Sequence, residues 1–477
     1  MRHHLTRFNL IKRQLFRVLS HLKFPQRLCR SVPQAIVRQI RRGAADIDSN
    51  HAGRPGAGRF RHRPEDGDPP PPHARYFDES VPWTSIANFI SESPPGDAPN
   101  HSLNIRIDDW DDVGNRHNSQ LGKASDLLIR RAFSDCADVH LVPMPLNDGH
   151  SGVPVYRAYA ELAKGQLGRW PLPHFVKIGD RGKIFAEYGN YEDNVDPYVP
   201  FHLGPHLIRE RCCLGAREGV IVGDYVEESE SLRDSARKGC AAPAIACLFD
   251  RTLLGWHRQA RKKMSPIYME LRHCFPRKIH SVRIARARGL GAKRDLDELR
   301  ALFERCTTMP VLVGPIHGDL HASNVRVRAT DAIVIDFCAH RDFPLVYDAA
   351  CLEASLLVEG FGNDRRDPQE WLGSLISLYD HPPLDGTLPH SNPKNRSFWF
   401  HACVHQIRRY AKQWECGKHQ YAGALALALL TKASKDNDVT DPEAFRRAAA
   451  YVLAERVLSV SFGPQTNAGS PSIVAAS

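Results

Sequence analysis

The most informative stretch of the sequence reads Ile316-His317-Gly318-Asp319-Leu320-His321-Ala322-Ser323-Asn324, and Ile335-Asp336-Phe337 follows it. Asn324 lies five residues after Asp319, and Asp336 lies twelve residues after Asn324. Asp336 also comes directly after Ile333-Val334-Ile335, an apolar run typical of a buried strand. The pattern is therefore an aspartate and an asparagine in one loop, with a second aspartate at the end of a strand.

These three side chains suit the chemistry of kinase-type phosphoryl transfer. Asp319 is placed to accept the proton of a substrate hydroxyl, or to orient that hydroxyl in line with the γ-phosphate. Asn324 and Asp336 supply the oxygen ligands that hard cations prefer, so they are the candidates for holding Mg²⁺ against the phosphates. The pattern predicts a phosphotransferase that uses ATP and Mg²⁺ and acts on the hydroxyl of a small molecule or a protein.

The motif resembles the signature of a known family. His317-Gly318-Asp319-Leu320-His321-x-x-Asn324 with Ile335-Asp336-Phe337 is similar to the aminoglycoside phosphotransferase and choline kinase group of the protein-kinase-like superfamily, which has glycine where protein kinases usually have arginine. The sequence from Lys177 to Glu187, and the sequence after Asp336, resemble those of a bacterial subgroup called ternary-complex-associated domains. The resemblance covers roughly residues 120–460.

The resemblance implies a nucleotide-binding strand at Phe175-Val176-Lys177-Ile178-Gly179. Lys177 matches the family's lysine that grips ATP, and it needs a carboxylate partner to fix its ammonium group on the phosphates. Glu187 and Glu192 both qualify, because both lie at the same angle from the apolar stripe of a predicted helix. The family's spacing favours Glu187.

The loop Asp148-Gly149-His150-Ser151-Gly152 precedes Lys177 and is the candidate for covering the phosphates, through Gly149, Ser151 and Gly152. It is not a full G-x-G-x-x-G pattern, and a plain hairpin turn is the competing interpretation.

Three further residues are predicted to support the catalytic loop. Asp348, in Val346-Tyr347-Asp348-Ala349-Ala350, matches the acidic residue that the family places shortly after the metal site. His317 and His321 flank Asp319 in a loop rather than lying on a helical face, so structural roles are predicted for them instead of metal binding.

The chain is predicted to be α+β, with a bilobal protein-kinase-like fold that has a small antiparallel-sheet N-lobe and a larger, mainly helical C-lobe. Residues 1–95 form a basic amphipathic and Pro/Gly-rich arm, predicted to be poorly ordered, and residues 463–477 a frayed tail. The N-lobe is expected at 96–228 and the C-lobe at 229–462. Periodicity predicts helices at 123–133, 183–195, 244–259 and 296–306, three helices within 398–458, and a solvated turn at the acidic run that begins at Asp108.

The formal charge of +10 belongs to one end of the chain. Residues 1–75 hold 16 Lys and Arg against five acids, so their balance is 16 − 5 = +11 and that of the remaining residues is 10 − 11 = −1. Any contact with a polyanion or a membrane surface is therefore expected only through the acid-free residues 1–42, and an extension that packs loosely on the body or is not structured is the competing interpretation. No apolar stretch is long enough to span a bilayer, and twelve cysteines without a C-x-x-C pair favour the cytoplasm over a disulfide framework or a zinc site.

The substrate and the oligomeric state are not readable from the sequence. Residues 401–440 carry six Lys and Arg against three acids, a balance of +3, which disfavours a polycationic aminoglycoside and suits a neutral or anionic metabolite or a protein segment. A nucleotide-binding pseudokinase that acts through partners is the alternative, because Cys338 stands where protein kinases have the glycine of Asp-Phe-Gly.

Overall fold

The structure is a computed structural model, and it describes residues 98–110, 116–118, 121–144, 154–163, 173–337, 339–361, 367–385, 397–435 and 444–464. The arm predicted for residues 1–95 lies outside these ranges, so its contact with a polyanion or a membrane surface stays a prediction. Within the described ranges, no helix combines the length and the apolar character needed to cross a membrane.

Internal packing divides the chain into two compact units. The first contains the described residues up to Gly189 together with His206–Tyr225, and the second contains Asn190–Pro205 and the described residues from Val226 onward. The segment Asn190–Pro205 thus packs with the second unit, although the sequence placed it within the N-lobe at 96–228.

One sheet of seven strands organises the first unit, in the order β2-β1-β3-β4-β5-β7-β6. The strands are β1 Asn104–Trp110, β2 Arg116–Asn118, β3 Cys136–Pro143, β4 Val155–Leu162, β5 His174–Asp180, β6 Cys213–Leu214 and β7 Glu218–Asp224. Helix α1 spans Lys123–Ala132, and helix α2 begins at Arg181 and ends at Asn190.

The sheet is antiparallel, as predicted, except between β1 and β3, which run parallel with Ile105 opposite Val139. Parallel neighbours need a crossover connection, usually a helix. Helix α1 lies between these two strands in the chain, and Leu128 and Ile129 on it are fully buried in the core of the sheet.

The predicted solvated turn that begins at Asp108 is wrong at its start. Asp108 lies within β1, and its Oδ1 is 3.0 Å from Nε2 of His140 on the neighbouring strand β3. The strand pairing gives this carboxylate a cross-strand partner, which no pattern within the acidic run could indicate.

The second unit is mainly helical, with two three-stranded sheets in the orders β13-β10-β9 and β12-β11-β8. Its strands are β8 Glu230–Ser231, β9 Arg261–Lys263, β10 Val311–Ile316, β11 Val325–Arg328, β12 Asp331–Val334 and β13 Arg341–Pro344. Its helices are α3 Leu232–Arg237, α4 Ala241–Cys247, α5 Leu254–His257, α6 Ile267–Leu271, α7 Ser281–Gly289, α8 Leu296–Phe303, α9 Val346–Glu359, α10 Pro368–Gly373, α11 Phe398–Trp414, α12 Gln420–Ser434 and α13 Ala444–Phe462.

Helices α9 and α12 are buried along almost their whole length. Apart from buried polar side chains such as Asp348, Glu353 and Lys432, both are apolar on every side, which is the pattern of a helix in the interior rather than at the surface. Each buried leucine on them stabilises the fold by about 1.5–3 kcal/mol relative to an exposed one. Helix α9 follows β13 directly, and it carries Asp348 and Ser355, which hold the candidate site.

The prediction of an α+β chain, with a sheet-based unit followed by a mainly helical one, is confirmed. The three helices predicted within 398–458 are α11, α12 and α13. The helix predicted over 244–259 is not continuous: a π-helical turn at Leu248–Thr252 separates α4 from α5. The Thr252 hydroxyl there donates to the carbonyl of Ala332 at 2.6 Å, so a contact with β12 accompanies the break.

Candidate functional site

The loop of the motif begins where β10 ends at Ile316. Gly318 has a φ of +81°, in the left-handed region that disfavours side chains. A Cβ atom at this position would lie 2.3 Å from the carbonyl oxygen of Ala339. Glycine is therefore required here both by the backbone angle and by the close approach of another chain segment.

The side chain of Asp348 holds the loop by accepting hydrogen bonds from two backbone N–H groups of the loop. It is fully buried in the first turn of α9, and its Oδ2 and Oδ1 accept hydrogen bonds from the N–H groups of His317 at 2.7 Å and Gly318 at 3.0 Å. Burial raises the pKa of the Asp348 carboxyl above its usual range, while these two hydrogen bonds act to lower it.

His317 ties the loop to the end of β12. Its Nδ1 accepts a hydrogen bond from the N–H of Asp319 at 3.4 Å, so the proton of the neutral ring belongs on Nε2. Nε2 then donates to the carbonyl oxygen of Ile335 at 3.1 Å. The buried imidazole thus joins the two parts of the motif, which is the kind of structural role predicted for it.

Asp319 lies in the loop that Asp348 and His317 hold in place, and its side chain is 56% exposed. Nε2 of His321, which is itself buried, lies 3.9 Å from Asp319 Oδ2. Burial of the Asp319 carboxyl acts to raise its pKa, but the positive charges of His321, Lys432 and Lys435 lower it below the ordinary value. Asp319 is therefore ionised at neutral pH and able to accept a hydrogen bond from a hydroxyl.

Asn324 and Asp336 are neighbours through the hairpin of β11 and β12. Val325 pairs with Val334, and the N–H of Ile335 donates to the carbonyl of Asn324 at 2.9 Å. The side-chain amide of Asn324 donates from Nδ2 to the carbonyl of Asp319 at 3.1 Å, which directs its Oδ1 away from that bond. Asp336 follows with a φ of +66°, an unusual angle for a residue with a side chain.

An amide oxygen and a carboxylate are ligand types that fit Mg²⁺, which binds one or two protein ligands and completes its shell with phosphate oxygens and water. In the part of the chain that the structure describes, no group of three or more His, Cys, Asp and Glu side chains is arranged to hold a metal ion. A tightly caged metal is not the type of site these two residues build.

In the first unit, Lys177 on β5 forms an ion pair with Glu187 on α2, with Nζ and Oε2 2.7 Å apart. Both side chains are about nine-tenths buried, with exposures of 8% and 11%. Glu192, the other glutamate considered, lies in a π-helical turn at Tyr191–Val195 that continues α2. A buried lysine paired with a helical glutamate is the arrangement that fixes a cation on nucleotide phosphates in kinases.

The predicted site residues fall into three groups. Lys177 and Glu187 lie together in the first unit. The residues predicted for the catalytic loop and the metal lie together in the second unit, and these are Asp319, Asn324, Asp336, His317, His321 and Asp348. Gly149, Ser151 and Gly152 lie outside the described residues, so their place over the phosphates stays a prediction.

Sequence reasoning missed several residues around the loop. Ser355 on α9 accepts the N–H of Ala322 at 2.8 Å through its Oγ. Lys432 and Lys435, whose charges act on Asp319, had been counted only in a charge balance. A lysine inside the apolar run of α12 was the available signal, because a buried lysine needs a local reason.

Comparison with known proteins gives structural likenesses at low identity. The amicoumacin kinase hAmiN, solved in complex with AMP-PNP, Ca²⁺ and Ami, is 12% identical with a TM-score of 0.37, over 68% of this chain and 90% of that one. Aminoglycoside phosphotransferase APH(4)-Ia is 12% identical with a TM-score of 0.37, over 69% of this chain and 95% of that one. Aminoglycoside phosphotransferase APH(3'')-Id from Streptomyces rimosus is 18% identical with a TM-score of 0.29, over 61% and 99%.

No protein-family model and no curated protein sequence matches the chain.

Proposed function

We propose that this chain is an ATP- and Mg²⁺-dependent phosphotransferase that transfers the γ-phosphate to a hydroxyl group. The braced loop from Ile316 to Asn324 carries the proposal. Buried Asp348 and His317 fix its backbone and leave the ionised, half-exposed Asp319 as the group that faces an acceptor. A protein that only bound nucleotide would have no need of this carboxylate.

Each residue has a role in this proposal. Asp319 orients the acceptor hydroxyl and takes its proton, and Asn324 and Asp336 hold Mg²⁺. When bound, the ion would neutralise charge on the phosphate oxygens. Lys177, held by Glu187, would contact the phosphates of ATP, with Gly149, Ser151 and Gly152 covering them. Holding both reactants in line supplies most of the rate enhancement in this type of reaction.

The cytoplasmic location is part of the same proposal. The ten cysteines among the described residues are all free thiols, which fits a reducing compartment.

Asp319→Asn tests the role of the carboxylate. The change keeps the size of the side chain and removes its basic oxygen, so we expect nucleotide binding to stay and turnover to fall by about 10²–10⁴-fold. Binding is measured as the thermal shift with ATP and Mg²⁺, and turnover as ADP release across a panel of hydroxyl compounds.

Asp297→Asn is the matched control, because Asp297 is exposed on α8 of the same unit. It should leave both measurements unchanged. Equal turnover by the Asp319→Asn and unchanged proteins would refute the proposal. A thermal shift with no ADP release across a broad panel would instead support the pseudokinase alternative.

A further inference from the structure

One face of helix α9 connects the catalytic loop to a buried lysine. Asp348 and Ser355 lie seven residues apart on α9, and both hold the backbone of the loop. Glu359 lies four residues after Ser355, hence on the same face and about 6 Å further along the axis. Its carboxylate forms an ion pair with Lys432 of α12, and both side chains are more than nine-tenths buried. The loop and Lys432 are therefore both held by side chains on the same face of α9.

The buried arginines around the end of α12 have a structural role, because they donate hydrogen bonds to backbone carbonyl groups. The last carbonyl groups of a helix have no partner within it and need donors from elsewhere. Three buried arginines provide donors at the ends of α9 and α12. The contacts are from Arg283 Nη1 to the carbonyls of Ala433 (2.7 Å) and Lys435, from Arg446 Nε to Val358 (2.7 Å), and from Arg447 Nη1 to Lys432 (3.2 Å).

Lys435 is different. It caps the C-terminal end of α12 directly after Ser434, it is half-buried, and its ammonium group makes no salt bridge or hydrogen bond with any residue that the structure describes. Burial and the positive charge of Lys432 lower the pKa of Lys435 to about 8, although Glu359 and Asp319 act to raise it. Lys435 is thus within electrostatic reach of Asp319, the group that faces the acceptor in the proposed reaction.

We infer that Lys435, with Lys432 behind it, binds an anionic group of the phosphoryl acceptor, a phosphate or a carboxylate, while the acceptor's hydroxyl meets Asp319. This rests on the proposed function. A half-buried ammonium group is costly unless an anion meets it, and lysine suits a compact anion as a point charge. A polycationic acceptor would meet charge of its own sign beside the catalytic carboxylate.

Two other sources of negative charge have to be separated from the acceptor. The sequence directly after Lys435 carries four acids, Asp436, Asp438, Asp441 and Glu443. The γ-phosphate of the nucleotide is the second source. The experiment therefore needs arms that distinguish the acceptor from the chain's own carboxylates and from ATP.

Covalent labelling of the full chain at pH 8 tests the site without requiring turnover. The probe is pyridoxal 5′-phosphate, whose aldehyde condenses with a neutral amine to an imine and releases water. Borohydride then reduces the imine, and mass spectrometry measures the label at each lysine. The control probe is 5′-deoxypyridoxal, which has the same aldehyde and no phosphate. Lys412, exposed on α11 of the same unit, is the internal reference.

We expect Lys435 to prefer the phosphate-bearing probe by about tenfold over Lys412. Inorganic phosphate should protect Lys435, also with AMP-PNP and Mg²⁺ present, and sodium chloride of equal ionic strength should not. Equal preference at the two lysines would overturn the inference. Loss of labelling with AMP-PNP alone would assign Lys435 to the γ-phosphate. Preference that appears only when the four acids are changed to amides would assign it to the chain itself.

Turnover then separates this inference from the proposed function. Lys435→Met should lower kcat/KM for anionic acceptors about tenfold with KM for ATP unchanged, and Lys435→Arg should restore most of it. If the labelling preference is present and Asp319→Asn leaves turnover intact, the anion site stands and the phosphotransferase proposal falls. If Asp319→Asn abolishes turnover and Lys435 shows no preference, the reverse holds.

Discussion

At the scale of single residues, the loop from Ile316 to Asn324 depends on a glycine that no other residue can replace. Gly318 combines a φ of +81° with a backbone carbonyl 2.3 Å from where a Cβ atom would be. Gly318→Ala should therefore displace the loop and weaken its two hydrogen bonds to Asp348. The backbone angle alone costs about 1–2 kcal/mol, so we expect a lower thermal midpoint and at least about tenfold slower ADP release.

Gly289→Ala is the control for this change. Gly289 ends α7, and nothing lies within 4 Å of its Cβ position. That substitution should leave the thermal midpoint and ADP release unaffected or slightly raise the former. Wild-type values for Gly318→Ala in both measurements would show that the loop does not need its glycine.

The residue types of the motif could be predicted from the sequence, but their supports could not. Asp319, Asn324 and Asp336 follow a spacing that phosphoryl transfer requires. The left-handed backbone of Asp336, and the action of the Lys435 charge on Asp319, depend on contacts between distant segments. Local spacing carries no information on such contacts.

At the scale of elements, a buried ion pair connects three helices of the second unit. Arg408 on α11 donates to both carboxylate oxygens of Glu353 on α9, at 3.0 and 2.7 Å. The hydroxyl of Tyr421 on α12 donates to the same carboxylate at 2.7 Å. Arg408 and Glu353 are almost fully buried, so the pair joins α11 to α9, the helix that carries Asp348, and the Tyr421 hydrogen bond joins α12, the helix that carries Lys432, to the same carboxylate.

Breaking this pair from one side should destabilise the fold strongly. Arg408→Met leaves the Glu353 carboxylate buried without its cation, and we expect the free energy of unfolding to fall by about 3–5 kcal/mol. Adding Glu353→Gln removes the stranded charge and should restore part of the loss. Urea unfolding of the two single variants and the double variant measures this coupling.

Arg409→Met is the matched control, since Arg409 is the exposed neighbour of Arg408 on α11. Its effect should stay within about 0.5 kcal/mol. A double variant less stable than Arg408→Met alone would contradict the interpretation that the buried, unpaired carboxylate of Glu353 causes the loss of stability.

Periodicity predicted the helices well where burial follows one face or the whole helix, as in α1 and in α11 to α13. The sequence pattern failed where a contact with another element accompanies an interruption of a helix or a change in the direction of a strand. The π-helical turn at Leu248–Thr252, where Thr252 bonds to β12, and the parallel pairing of β1 with β3 are both of this kind. Such features become visible only once the partners are known.

At the scale of the whole molecule, the net charge of +10 does not describe the part that carries the candidate site. Residues 1–75 have a balance of +11, and everything after them sums to −1. Affinity for polyanions grows with the number of phosphate or sulfate groups neutralised and falls steeply with salt. The location of the charge, rather than its total, should decide whether this chain binds a polyanion.

Two full-length variants with the same net charge test this. One changes six basic residues of the arm to Gln: Arg2, Arg7, Lys12, Arg13, Arg17 and Lys23. The other changes six exposed basic residues of the second unit to Gln: Arg272, Arg277, Lys278, Arg286, Arg288 and Lys412. Each lowers the net charge from +10 to 10 − 6 = +4.

We expect the arm variant to elute from heparin at clearly lower salt, with a smaller slope of log affinity against log salt, while the second elutes near the unchanged protein. Equal shifts in the two variants would mean that total charge controls binding and that the arm has no special role.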